Sequence, residues 1–118
     1  GNHMPSYKMN RINEEVRRAL SEIVREAKDP RITPMISIVD VDVTSDLKYA
    51  TIYISDIRGD QHTAKTVENL KKASGFLRHE LGEKVALRRL PELIFKEDHS
   101  ISHGMKINDL LNEIKNGR

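Results

Sequence analysis

Lys71-Lys72-Ala73-Ser74-Gly75-Phe76-Leu77-Arg78 interrupts an otherwise regular helical pattern, and its reading decides the fold. Around it Val67, Leu70, Ser74, Leu77 and Leu81 fall on one face at spacings of three and four, as in an amphipathic helix. Asp60, after Gly59, is the expected N-cap, and Gly82 the expected stop. A glycine inside a helix costs about 1 kcal/mol relative to alanine. Either a straight helix tolerates Gly75, or a kink at Ala73-Ser74-Gly75 divides it in two.

Upstream, Met9, Ile12, Val16, Ala19, Leu20, Ile23 and Ala27 mark one face of a first helix. Asp29-Pro30 ends it, because the residue before proline disfavours the α region. Ile36 to Val43 is rich in β-branched residues; Val39, Val41 and Val43 are expected on one strand face, Asp40 and Asp42 on the other. After the polar turn Thr44-Ser45-Asp46, Tyr49 to Ser55 alternates again, with Ala50, Ile52 and Ile54 together. So short a connection predicts an antiparallel hairpin. Downstream, Pro91 opens a strand from Leu93 to Glu97, and Asp98 or Ser100 caps a last helix carrying Ile107, Leu110, Leu111 and Ile114. The order helix, strand, strand, helix-kink-helix, strand, helix predicts an α+β domain, one three-stranded sheet with helices on one face.

The chain has 118 residues, enough for one domain with a modest core. Gly1-Asn2-His3 read as an expression-tag remnant before a natural start at Met4, so residues 4–118 are taken as the domain. The absence of cysteine removes disulfides, thiolate nucleophiles and cysteine zinc sites, and suits a reducing cytoplasm. No apolar run approaches the roughly 20 residues that cross a bilayer.

The formal net charge is only +2, but it is segregated. Residues 1–35 carry seven basic and five acidic side chains, and residues 60–90 carry seven and four. Residues 36–59 carry two and four, and residues 91–118 four and five. Segregation of this kind makes a basic face on a nearly neutral protein.

Enzymatic readings find little. His99 and His103 share a helix face at a spacing of four, but a zinc site needs three or four ligands and none accompanies them. Asp40, Asp42 and Asp46 cluster at the hairpin, as a magnesium-dependent nuclease would need, yet carboxylates alternating along an exposed strand are ordinary. There is no phosphate loop, no Ser/His/Asp arrangement identifiable from spacing, and no cofactor signature.

The basic residues carry more. Arg11, Arg18 and Arg25 recur every seven residues, drifting only about 20° per heptad. Glu15 and Glu22 follow the first two at a spacing of four, so the stripe reads equally as a phosphate-binding face or as a salt-bridge ladder. Lys65, Lys71, Lys72 and Arg78 surround Ala73-Ser74-Gly75, with Lys84, Arg88 and Arg89 close behind. Acidic residues there are few (Glu68, Glu80 and Glu83), which favours phosphate binding over a merely solvated face. Aromatics are 4% of residues, so contacts to RNA backbone and shape should outweigh base stacking.

The element order resembles the type II KH fold, whose Gly-x-x-Gly loop clamps the RNA backbone between two helices. This chain has Ala73-Ser74-Gly75 at that place, which resembles the Ala-x-Gly kink of the ribosome-binding factor A family. Asp29-Pro30-Arg31-Ile32, Val41 to Leu47 leading into Ala50 to Ser55, Leu77-Arg78, and Leu87 to Leu93 before Phe95 to Asp98 resemble the same family, from about Lys8 to Ile114. The chain departs from some members in ending soon after the last helix. The resemblance implies a non-enzymatic, monomeric factor that binds free small (30S) ribosomal subunits and assists late maturation and processing of 16S rRNA. It also implies contacts near the decoding region, a part in cold adaptation, and a functional link to ribosome-associated GTPases, one of which promotes release. A generic KH-like RNA binder and a protein-interaction module remain the competing readings.

Overall fold

A computed structural model describes residues 7–33 and 35–98, and the elements run α1 (Tyr7–Glu26), β1 (Ile36–Val43), β2 (Tyr49–Asp56), α2 (Asp60–Lys72), α3 (Ser74–Lys84) and β3 (Glu92–Glu97). The expected last helix, with its Ser100 cap, lies outside the described residues. The sheet order is β1-β2-β3: β2 pairs antiparallel with β1 and parallel with β3. Strand β2 is central because its inner face is the most completely apolar. Ala50, Ile52 and Ile54 are all fully buried. The parallel return to β3 needs a crossover, and α2 and α3 provide it.

The helices cover the face that carries these residues. Helix α1 packs on β1, α2 on β2 and β3, and α3 against α1 and β3. Val16, Ala19, Leu20, Ile23 and Val24 of α1 meet Val67, Leu70, Ala73, Leu77 and Leu81 of the helix pair in one core with the inward strand residues. Each large aliphatic side chain so buried contributes about 1.5–3 kcal/mol. The opposite sheet face carries Tyr49, Thr51, Tyr53, Asp42, Glu92 and Lys96, exposed or half-buried.

Three local expectations change, the first being that α3 runs past Gly82, the expected stop, to Lys84. In β1 the register shifts between Ile38 and Asp40, so Ile38, not Val39, joins Val41 and Val43 in the core. An extra residue in one strand of an antiparallel pair reverses the facing of everything before it. The N-cap of α2 is Gly59, not Asp60. Gly59 has φ 119°, and its carbonyl accepts from the backbone N–H groups of His62 and Thr63. Asp60 instead stands in the first helical turn, where its charge suits the positive end of the helix dipole.

The long helix divides at Ala73, in the bridge region at φ −95° and ψ 10°. Its N–H is shared between the carbonyls of Asn69 and Leu70. Gly75 lies one residue inside α3, and a Cβ built there would meet nothing within 4 Å. The break therefore depends on a small residue at Ala73, which is 1% exposed, rather than on the freedom of Gly75.

A polar network fastens β2 to α2. The buried carboxylate of Asp56 accepts from Arg58 Nε (2.9 Å), Arg58 Nη2 (2.7 Å), the Arg58 backbone N–H (2.8 Å) and Thr66 Oγ1 (2.8 Å). Thr63 Oγ1 accepts from the Asp56 N–H and donates to the Gly59 carbonyl. At the free edge of β1, Asn13 Oδ1 accepts from the Val43 N–H (2.8 Å) and Asp40 from the Val41 N–H (2.9 Å). These bonds occupy edge donors that would otherwise template pairing with another strand.

Candidate nucleic-acid interface

On α1 two of the three arginines in the stripe are paired, Arg11 with its expected partner and Arg18 with a different one. Arg11 Nε bonds Glu15 (3.3 Å), while Arg18 reaches back to Glu14 (3.4 Å), which Arg17 also holds. Hydrogen bonding from the Arg17 guanidinium lowers the Glu14 carboxyl below its ordinary pKa. Glu22, the expected partner of Arg18, bonds Lys84 instead (3.3 Å), because α3 packs across α1; Glu26 stands 4.0 Å from the same ammonium. Lys84 is thus largely committed to an interhelix bridge. Arg25 is exposed and has no partner among the described residues.

At the helix break the cations are freer. On α2, Lys65 and Lys71 are exposed and unpaired among the described residues, as is Arg89 in the segment after α3, and Lys72 stands 3.8 Å from Glu68. A further guanidinium arrives from the loop after α1: Arg31 Nη1 donates to the Lys72 carbonyl (2.9 Å). Asp29 holds Arg31 through Nε (3.0 Å) and Nη2 (2.5 Å), and the Arg31 side-chain bonds bring the Asp29 carboxyl down to about 2. Arg31 is a further candidate at this surface, outside the residues expected from the sequence. Its only local signal is the two-residue spacing to Asp29, whereas the carbonyl it binds is 41 residues away.

Ser74 and Gly75 line a shallow depression of about 360 Å³ with Arg78, Glu92 and Leu93. Arg78 has a structural task there. Its Nε donates to the Pro91 carbonyl (3.0 Å) and its Nη2 to the Leu90 carbonyl (2.7 Å), tying α3 to the approach of β3. Hydrogen bonds from a charged donor contribute roughly 1.5–3 kcal/mol each in favourable settings and less when half-exposed. Arg78→Met should therefore lower stability by about 1–3 kcal/mol in urea denaturation. An unchanged midpoint would show that the two carbonyls are served equally well by water.

Arg88 does not join Lys71 and Lys72. It lies with Lys8 and Arg11 on the rim of a groove between α1 and the segment after α3. The candidate residues thus occupy two surfaces, one at the α2–α3 break and one beside the start of α1. A third region is unsuited to polyanions. A groove of about 1050 Å³ along the β1 edge gathers Glu14, Asp40, Asp42 and Asp98 against Arg17 alone. Asp46 is occupied within the hairpin turn by Thr44 Oγ1 (2.7 Å) and the Lys48 N–H (3.0 Å). Among the described residues no three His, Asp or Glu side chains converge to hold a metal ion, and no helix is long and apolar enough to cross a membrane. His99 and His103 lie outside the described residues.

Fold and surface together define a small α+β domain: a mixed three-stranded sheet, helices on one face, and the exposed cations Lys71 and Lys72 at a helix break. The family model for ribosome-binding factor A matches residues 8–111, and the chain belongs to that family. It is 47% identical over 113 residues to ribosome-binding factor A of Clostridium novyi, covering 95% of this chain and 93% of that protein. The crystal structure of ribosome-binding factor A from Thermus thermophilus superposes with a TM-score of 0.66 at 25% identity, covering 77% of this chain and 97% of that one. A homology model of the Thermus thermophilus factor, fitted into a cryo-EM map of a 30S complex with that factor, matches with a TM-score of 0.60 at 25% identity, over 74% and 91% of the two chains.

Proposed function

We propose that this protein is a non-catalytic, cytoplasmic assembly factor that binds free 30S subunits as a monomer. In that role it assists late 30S maturation and 16S rRNA processing, supports growth in the cold, and works alongside ribosome-associated GTPases. The observation that carries the reading is the family match over residues 8–111. The fit of the Thermus thermophilus relative into the map of a 30S complex supports the small subunit as partner. In this reading the break at Ala73 stands where a KH domain has its Gly-x-x-Gly loop, and the RNA backbone lies along it. Lys65, Lys71 and Lys72 meet phosphates, with Ser74 and Gly75 allowing close approach and the buried Ala73 setting the break beneath them. Arg78 and Lys84 chiefly hold the scaffold, while Arg11, Arg18, Arg88 and Arg89 extend the basic surface.

Counterion release sets the first test. Three or more phosphate contacts should give a log-log slope of affinity against salt near −3 or steeper, by the duplex coefficient. The protein should co-sediment with free small subunits at low salt, be released as salt rises, and leave assembled ribosomes unbound. A response that is flat with salt would assign the energy to a protein partner on the subunit.

A further inference from the structure

The groove beside the start of α1 has a chemistry that the helix break lacks. Its volume is about 370 Å³, at the lower end of the roughly 300–1,000 Å³ typical of small-ligand sites. Its floor is aliphatic: Met9 and Ile12 from α1, Leu47 from the hairpin turn, and Leu87 from the segment after α3. Leu47 is held there by a left-handed backbone (φ 60°), uncommon for a bulky residue, with its N–H on the Thr44 carbonyl and its side chain 4% exposed. The rim is cationic, formed by Lys8, Arg11 and Arg88. Its one acid, Glu15, is bonded to Arg11. Lys8 and Arg88 have no partner among the described residues.

An apolar floor of single-nucleotide size under a ring of positive charge fits neither a duplex backbone, which needs no floor, nor an acidic peptide helix, which needs a longer trough. We propose that this groove takes one unpaired nucleotide of a structured RNA, base on the aliphatic floor and flanking phosphates on Lys8 and Arg88. The inference rests on the reading of the protein as an RNA-binding factor and specifies the RNA it prefers: a duplex interrupted by a looped-out base. Such bases are the parts of folded RNA that proteins reach most readily. The helix break then carries sequence-independent backbone contacts, and the groove supplies selection for the interruption.

Ala86 lines the groove and is exposed, so substitutions there spare the core. The probes are one RNA duplex with a single bulged uridine and the same duplex fully paired. Wild-type protein should prefer the bulged RNA by at least about fivefold, the lower end of what one stacked base contributes, because the floor is aliphatic rather than aromatic. Ala86→Glu should erase that preference while leaving affinity for the paired duplex close to wild type. The protein contains no tryptophan, so Ala86→Trp is a single reporter whose emission should change with the bulged RNA and not with the paired one. A preference that persists in Ala86→Glu, or is absent in wild type while both RNAs bind with a steep salt dependence, overturns the groove assignment and leaves RNA binding standing. If neither RNA binds and small subunits are not co-sedimented either, the assembly-factor reading falls with it.

Discussion

Lys71→Glu with Lys72→Glu should abolish co-sedimentation with small subunits while the circular dichroism spectrum stays unchanged. Both side chains are exposed, Lys71 has no partner among the described residues, and the Lys72–Glu68 pair at 3.8 Å contributes at most about 0.5 kcal/mol to the helix. Removing two phosphate contacts should reduce the salt slope by about two, and reversing the charges adds repulsion to the loss. Reversing Arg11, Arg18 and Arg25 should do less, since Glu15 and Glu14 already neutralise the first two. Arg78 is left out of the break variant because its bonds to Leu90 and Pro91 make its removal a test of folding. If the α1 triple is the more damaging and both variants stay folded, the RNA lies along α1 and the break is only structural.

Asp56→Ala should be among the most destabilising single changes in the protein, by about 2–4 kcal/mol in chemical denaturation. The carboxylate is buried and accepts four hydrogen bonds, so its loss strands Thr66 Oγ1 and releases the Arg58 guanidinium from the β2–α2 junction. Hydrogen bonds from the Arg58 side chain hold its pKa far below the ordinary carboxylate value, against the opposing effect of burial. Because the folded pKa is depressed, this stabilisation is fully present above the unfolded value of about 3.9 and is lost as pH falls through the folded value. Wild-type stability should therefore decline below about pH 4, and the decline should be shallower in Asp56→Asn, which no longer titrates there. Equal acid slopes in the two proteins would assign the pH dependence to other carboxylates.

Much of the fold follows from local periodicity. The three-four spacing of α1 identified Val16, Ala19, Leu20 and Ile23 as core, and the alternation of β2 identified Ala50, Ile52 and Ile54. These readings hold because a helix or strand shows its period to solvent and core whatever it packs against. Val39 misled for the same reason: a bulge changes the phase without changing the residue types, so alternation alone points to the wrong face. The N-cap of α2 moved to Gly59 because Thr63 and Asp56 together build the junction, which no single capping residue reveals.

The candidate site divides along the same line. Density of charge around Ala73 could be counted from the chain, and so could the scarcity of acids beside it. Which cations remain available was decided by packing. Lys84 is drawn to Glu22 over a separation of 62 residues because α3 crosses α1, and that leaves Arg18 to Glu14. Arg31 reaches the end of α2 only because the loop after α1 passes that carbonyl. Arg88 sits with Lys8 and Arg11 because the segment after α3 runs beside α1 on its way to a parallel β3. Composition, helix and strand periods, and charge segregation are properties of neighbouring residues, and the sequence determined them. Pairing between distant charges depends on where elements cross, and only the tertiary structure decided it.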